Sequence, residues 1–428
     1  VFEMGNELTK RHCPIDGDKV KSCIHCKNCS IMSGFGGAGA FSDGKYNITN
    51  DFGGTLYEYI GKKAALELMN YVDKINLAFG GEGTKLYSTA GSSLKTRCMQ
   101  NGLHLLDASV RHLGTDINYI VLEHLYAHLK EKVDFHFNCF IDKVEKLDDG
   151  YRIYHEDSYY DGRECVISAG RSGSKWMENV CQDLGINTNS NRVDIGVRVE
   201  LPAGIFAHLT DELYESKIVY RTSKYEDMVR TFCMNPKGEV VNENTNGIVT
   251  VNGHSYEDPA KQTNNTNFAL LVSKNFTKPF KTPIEYGKQI AQLSNMLCDG
   301  KILVQTFGDF QRGRRTTEER LCRNNLIPTL KDAVPGDLSL VLPHRIMVDI
   351  EEMILALDKV TPGIASDETL LYGVEVKFYS NKVIVNKDFE TSVKNLRAMG
   401  DGASVTRGLQ QASANGLSVA KSILAKRN

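Results

Sequence analysis

Cys13, Cys23, Cys26 and Cys29 follow one another as C-x9-C-x2-C-x2-C, and three thiols at that close spacing can reach one metal centre from a tight loop. An iron–sulfur cluster such as [4Fe-4S], a zinc ion, and free thiols or a local disulfide all fit the pattern. Directly after them comes Gly34-Phe35-Gly36-Gly37-Ala38-Gly39-Ala40-Phe41-Ser42-Asp43-Gly44-Lys45. This run has too little side chain to build core but many free N–H groups, which suits close approach of backbone to a flat or phosphorylated ligand. A flexible hairpin is the alternative, and a Walker loop is excluded because no Gly-Lys-Ser/Thr closes it.

Two more glycine turns have the same character. Residues 164–168 read as a strand that empties into Ala169-Gly170-Arg171-Ser172-Gly173. Near the other end, Gly400-Asp401-Gly402 precedes a helical stretch, so backbone N–H groups of a helix start are expected just before Val405, an anion or cofactor cradle. In that helix Gly408, Ala412, Gly416 and Ala420 recur every fourth residue as a ridge almost free of side chain, flanked by Leu409, Leu417, Ile423 and Leu424. The ridge predicts close approach to a sheet or cofactor.

The elements that must position these turns are legible at low resolution. Helical spacing covers 56–74 and 117–132, the second with Asp116 placed to cap it. Strand-like pieces follow at 133–141, 151–155 and 164–168. From about 190 to 385 the character changes to strands at 193–200, 218–221, 247–251 and 268–273 between Asn-rich loops, with helices near 284–297 and 349–357. Arg312-Gly313-Arg314-Arg315 reads as a solvated basic loop.

At 428 residues the chain has room for two domains, or for one carrying an insertion. Lys plus Arg number 51 against 53 Asp plus Glu, a net charge of −2 spread along the chain, so nucleic acid and anionic membrane are not expected partners. No window of about 18 apolar residues occurs. Eleven cysteines, an odd number, read as reduced thiols with one special cluster, and a cytoplasmic location is expected. On the same reading the N-x-S/T sequons are chance matches.

Taken together, the Cys triplet with GFGGAGAFSDGK, RHLGTD at 111–116, ISAGRSGSKWM at 167–177, VDIGVRVE at 193–200, TFCMNPKG at 231–238, VNGHS at 251–255, NTNFALLVS at 265–273, LLYGVEVKFYS at 370–380 and the terminal MGDGASVTRG resemble one family. It is that of bacterial and plastid FAD-dependent dehydrogenase-like proteins, within the flavoproteins with two dinucleotide-binding domains. The resemblance implies an α/β fold: a Rossmann-like three-layer FAD/NAD(P)-binding domain from 1–190 and 386–428, with an inserted α+β substrate domain at 191–385. It implies that Asp401 binds the flavin ribityl chain, with Gly400, Gly402, Val405 and Thr406 beside it. Glu3 would accept from the adenosine ribose hydroxyls. Ala169, Gly170 and Arg171 would contact the cofactor from their strand, and Gly36, Gly37, Ala38, Gly39, Ser42 and Lys45 would lie near the isoalloxazine.

The chain departs from the family in two places. The G-x-G-x-x-G turn expected some 20 residues before the acid is absent, because Val1-Phe2-Glu3 already reads as the end of the acid-bearing strand, so an N-terminally incomplete chain is expected. Asn235 stands where a further Cys is expected beside Cys233. The function implied is an FAD-dependent oxidoreductase acting on a small molecule, with NAD(P)H or an electron-donor protein as reductant. His254, Lys45 and Asp43 are the candidates for proton handling. The alternative is a redox- or metal-sensing protein built on the Cys cluster.

Overall fold

The computed structural model describes all residues except 15–23, 25, 246, 257–258, 278, 281 and 428. The chain divides into two compact units, the first made of Val1–Leu86, Ala108–Asn189 and Ser380–Asn428, the second of Tyr87–Asp107 and Ser190–Tyr379. Sequence patterning leaves 87–107 with the first segment. The structure gives it to unit 2, because Leu103–Leu105 pairs antiparallel with Ile218–Arg221. Among the described residues no helix is long and apolar enough to cross a membrane.

Seven strands carry the argument below: β1 (Cys165–Ile167), β2 (Val193–Pro202), β3 (Met228–Asn235), β4 (Glu239–Thr245), β5 (Ile248–His254), β6 (Asn265–Lys274) and β7 (Leu370–Lys377). To these add β8 (Leu396–Ala398) and four helices, α1 (Lys62–Asn76), α2 (Gly114–Leu129), α3 (His344–Asp358) and α4 (Leu409–Arg427).

In unit 1, β1 and β8 run parallel with Leu396 opposite Cys165 and Ala398 opposite Ile167. Parallel pairing also places Phe2 beside His136, with Glu3 N–H donating to the His136 carbonyl at 2.9 Å. Only that bridge forms in the predicted strand 133–141. The predicted helix at 56–74 is broken into Leu56–Ile60 and α1 by Gly61, whose φ of 83° ends the first turn. Asp116 lies inside the first turn of α2 and does not cap it. The core of this unit gathers Leu56, Met69 and Val72 with Ile167, Ala398, Ala414 and Val419.

Unit 2 is organised on an eight-stranded sheet in the order Val334–Pro335, Leu303–Thr306, β7, β2, β6, β3, Ile218–Arg221, Leu103–Leu105, antiparallel except at its Val334–Pro335 edge. Along β2 the side chains alternate faces. Val193, Ile195, Val197, Val199 and Leu201 enter one core with Phe206, Leu209 and the α3 residues Ile346, Ile350 and Met353. Each such buried side chain contributes about 1.5–3 kcal/mol, which fixes the register because a slip of one residue would send the other set inward. That other set is Asp194, Arg198 and Glu200, and all three are also 0% exposed. A buried polar sheet face is the unusual feature of this unit.

Candidate functional site

The two glycine turns after β1 and β8 meet. They leave the carboxyl ends of adjacent parallel strands, the place where α/β sheets present ligand-binding loops, and Gly402 N–H donates to the Ala169 carbonyl at 2.7 Å. A Cβ on Gly402 would collide with that same carbonyl oxygen, whereas positions 400 and 170 have open space around them. Gly400 carries φ 74°, the left-handed turn that glycine takes without strain. The Asp401 carboxylate accepts from the Thr406 hydroxyl at 2.8 Å and faces Arg171 Nε at 3.9 Å. Burial raises the Asp401 pKa, and Thr406, Arg171 and Arg407 only partly offset it.

The helix start lies elsewhere than expected. Residues 400–405 form turns, Thr406 bridges to Gly54, Arg407 N–H donates to the Gly53 carbonyl at 2.9 Å, and α4 begins only at Leu409. Nor is the Gly/Ala ridge the buried face of α4. Gln410, Gln411, Ala414, Asn415 and Val419 are buried instead. Their amides do the positioning: Asn415 Oδ1 accepts from Gly400 N–H at 3.0 Å, and Gln411 Nε2 donates to the carbonyls of Thr49 and Phe52 at 3.0 and 2.9 Å.

The Gly-rich run packs against the same helix start. Gly37–Phe41 forms a short 3-10 helix entered through Gly36 at φ 81°. A Cβ on Gly39 would strike Leu409. Asn118 of α2 donates to the Gly39 carbonyl and accepts from Tyr46, both at 2.8 Å, while Ser42 Oγ also donates to Gly39. Upstream, the buried Arg11 guanidinium donates to the carbonyls of Ser30, Ile31 and Phe35. Glu3 Oε1 accepts the N–H groups of Gly5 at 2.9 Å and Gly34 at 3.0 Å, so its carboxylate is fixed by backbone. Lys45 and Asp43 form an ion pair at 2.8 Å.

Unit 1 thus brings together Ala169 to Arg171, Gly400 to Thr406 and the Gly-rich turn around the start of α4. His254 belongs to unit 2, at the end of β5, with its ring edge-on to Tyr256 at 4.8 Å. Of the thiol cluster, Cys13, Cys26 and Cys29 are free and Cys23 lies outside the described residues. Among the described residues no group of three or more His, Cys, Asp or Glu is placed to hold a metal ion.

Sequence reasoning missed the polar face of the unit 2 sheet. Arg198 Nε and Nη2 clamp Glu375 at 2.9 Å each, and Nη1 donates to Asn267 at 2.8 Å and to the Cys233 carbonyl at 3.1 Å. Lys377 Nζ reaches Glu375 at 3.0 Å, and its pKa stays raised, because Glu375, then Cys233 and Glu243, outweigh burial. Asp194 accepts from Ser273 at 2.6 Å, Arg230 at 2.9 Å and the Tyr379 hydroxyl. Burial alone would raise its pKa, but Arg230 and Arg192 bring it below the usual range. The signal was the alternation V-D-I-G-V-R-V-E, which marks the strand but not the burial of its polar side.

Across its whole length the chain is 24% identical to an uncharacterized protein of Clostridium beijerinckii, covering 76% of it. Solved structures aligned with it include Klebsiella pneumoniae HpxO complexed with FAD and uric acid, at 13% identity over 85% of this chain and 69% of that one, TM-score 0.31. An oxidoreductase from Methanosarcina mazei aligns at 10% identity over 74% and 56%, TM-score 0.33. TM-scores of this size lie below those of a shared architecture. The most specific likeness is in unit 2: residues 193–378 match the family described as FAD-dependent protein, C-terminal domain-like.

Proposed function

We propose that this protein is an FAD-dependent oxidoreductase that passes hydride or electrons between a small molecule and the flavin. The observation that carries the reading is the junction of the Ala169 and Gly402 turns at the carboxyl ends of a parallel strand pair. The family match of residues 193–378 supports it independently. The residues of the junction fit the group. Open space around Gly400 and Gly170 lets a ligand approach backbone, and the Asp401 carboxylate is held as an acceptor for a ribityl hydroxyl. Glu3, oriented by Gly5 and Gly34, is the acceptor for ribose hydroxyls. Gly36 to Gly39, Ser42 and Lys45 form the third wall, made rigid by Asn118.

When bound, FAD supplies two-electron or one-electron transfer to and from substrate. The chain's part is to hold it, exclude water and handle the proton. Lys45, oriented by its ion pair with Asp43, is the proton group beside the Gly-rich turn. The test is direct. Full-length protein is incubated with FAD, desalted and scanned for the flavin band near roughly 450 nm. Retained flavin, bleached by NADH, NADPH or reduced ferredoxin, is the expected outcome. Protein that stays colourless after reconstitution sinks the proposal.

A further inference from the structure

The polar face of the unit 2 sheet carries more positive charge than its buried acids need. Glu375 is already satisfied by Arg198, whose guanidinium takes both carboxylate oxygens. The Lys377 ammonium, at 3.0 Å from Oε1, is therefore a second cation on one acid. Asp194 shows the same excess. Arg230, Ser273 and Tyr379 fill its oxygens, and Arg192 stands by at 3.6 Å.

The two surplus cations, Lys377 and Arg192, lie near Arg230, the partner of Asp194. Lys377 is the register partner of Asp194 on β7, Arg192 precedes β2 by one residue, and Arg230 reaches Asp194 from β3 across β6. Their side chains stay partly accessible, at 15% for Lys377, 29% for Arg192 and 16% for Arg230. Arg230 Nε is buried with no hydrogen-bond partner among the described residues, an unmet donor in a place of low dielectric. Its guanidinium lies 4.1 Å from the centroid of Phe232, which adds a half-buried apolar surface. On the other side of the balance, the exposed Glu243 of β4 acts on Lys377, and Glu215 is paired with Lys217.

We infer that this face binds the carboxylate of a small organic acid, between Lys377, Arg192 and Arg230, with the body of the acid against Phe232. This is a ligand site of unit 2 that stands apart from the flavin reading of unit 1, and the ligand class is a carboxylic acid with an apolar portion, recognised by charge at one end and by ring contact at the other. Arg198 takes no part in binding, since its donors are spent within the protein.

Benzoate is the probe, with methyl benzoate and benzyl alcohol as neutral controls, titrated calorimetrically into full-length protein. Benzoate is expected to bind and the controls not to. Lys377→Gln and Arg192→Gln should each weaken benzoate roughly tenfold, the loss of one charge-assisted contact. Arg312→Gln, in an exposed ion pair with Asp367, should leave affinity unchanged. Lys377→Gln keeps the Arg198–Glu375 clamp, so an unaltered melting midpoint shows the fold intact. Absence of benzoate binding, equal binding of methyl benzoate, or full affinity in the variant that combines Lys377→Gln with Arg192→Gln would each overturn the site. Flavin retention read on the same samples separates the two ideas. Flavin without benzoate binding removes only this inference, and benzoate binding without flavin removes only the cofactor reading.

Discussion

The turn cluster of unit 1 and the sheet face of unit 2 are held in shape in two different ways. In unit 1 the surface is backbone: carbonyls and N–H groups of glycine turns, fixed from behind by Asn118, Gln411 and Asn415. In unit 2 it is side chain: fully buried Asp194, Arg198 and Glu375 on neighbouring strands, each paired, with partly accessible cations beside them. A backbone surface fails when a Cβ is added. A side-chain surface fails when a charge loses its partner, and the second failure is the costlier.

Arg198→Met should therefore give the largest effect. It leaves Glu375, Asn267, Asn252 and the Cys233 carbonyl without their common donor, and removing one partner of a buried pair costs about 3–5 kcal/mol. Urea unfolding followed by circular dichroism measures it. The double variant Arg198→Met with Glu375→Leu should cost less than the two single losses added, because either substitution alone already breaks the shared clamp. A double variant as unstable as the two single losses added would show that the clamp does not act as a unit.

Gly402→Ala comes next, at about 1–3 kcal/mol, since its Cβ collides with the Ala169 carbonyl and one of the two turns must shift. The same change at Gly170, where φ is −79° and nothing lies within 4 Å, should stay within about 0.5 kcal/mol. If the two behave alike in thermal melts, the turn junction is looser than its geometry states.

This contrast also explains what was legible in the sequence. Glycine turns are local, so Gly36 to Gly39, Gly170 and Gly400 to Gly402 stand out by composition. The path between Gly402 and α4 is not local: Thr406 turns back to pair with Gly54, some 350 residues away in sequence, and no periodicity announces that. The ridge of Gly408, Ala412, Gly416 and Ala420 misled because amides that satisfy loop carbonyls belong on the inner face, displacing the small residues outward. Strands β2 and β6 were found within a few residues, yet polar alternation ordinarily means a wet face. Here register with β6 and β7 brings Asn267 and Glu375 to Arg198, a pairing of residues far apart in the chain. Tyr87–Asp107 joins unit 2 for the same kind of reason, a strand pairing across more than a hundred residues.

A smaller effect separates acids that have cations from acids that have acids. Asp349 in α3 is buried beside Asp227, and burial, followed by the hydrogen bond that its protonated form gives to that second carboxylate, pushes its pKa up to about 6. Arg345 and Lys274 hold Asp227 down at about 2 against its own burial. The raised group favours its protonated form in the fold, so its contribution is complete below the ordinary aspartate pKa and is lost as pH rises through about 6. Asp227 has the opposite sign, and its contribution is lost only as pH falls through about 2. Between about pH 4 and 6 the melting temperature of the wild type should fall relative to that of Asp349→Asn. Parallel curves for the two proteins would assign the slope to other groups.

The smallest expected change in stability is the most informative about function. Asp194 is fully buried between Arg230 and Arg192, which bring its pKa down, whereas the half-buried Asp401 has its pKa raised by burial that the Thr406 hydroxyl, Arg171 and Arg407 only partly offset. By the same sign rule the contribution of Asp401 is present at low pH and lost as pH rises through its raised value, so at neutral pH its charge is a burden on folding. Asp401→Asn keeps the shape, removes that charge and should leave the melting point unchanged or slightly higher. If the carboxylate is there to accept a ribityl hydroxyl, the same variant should lose flavin on desalting. Loss of flavin without loss of stability would support the proposed ligand role of Asp401, a trade-off between stability and function. Should Asp401→Asn melt well below the wild type and still retain FAD, Asp401 is a structural residue of the turn and the cofactor contact must be sought in the neighbouring backbone.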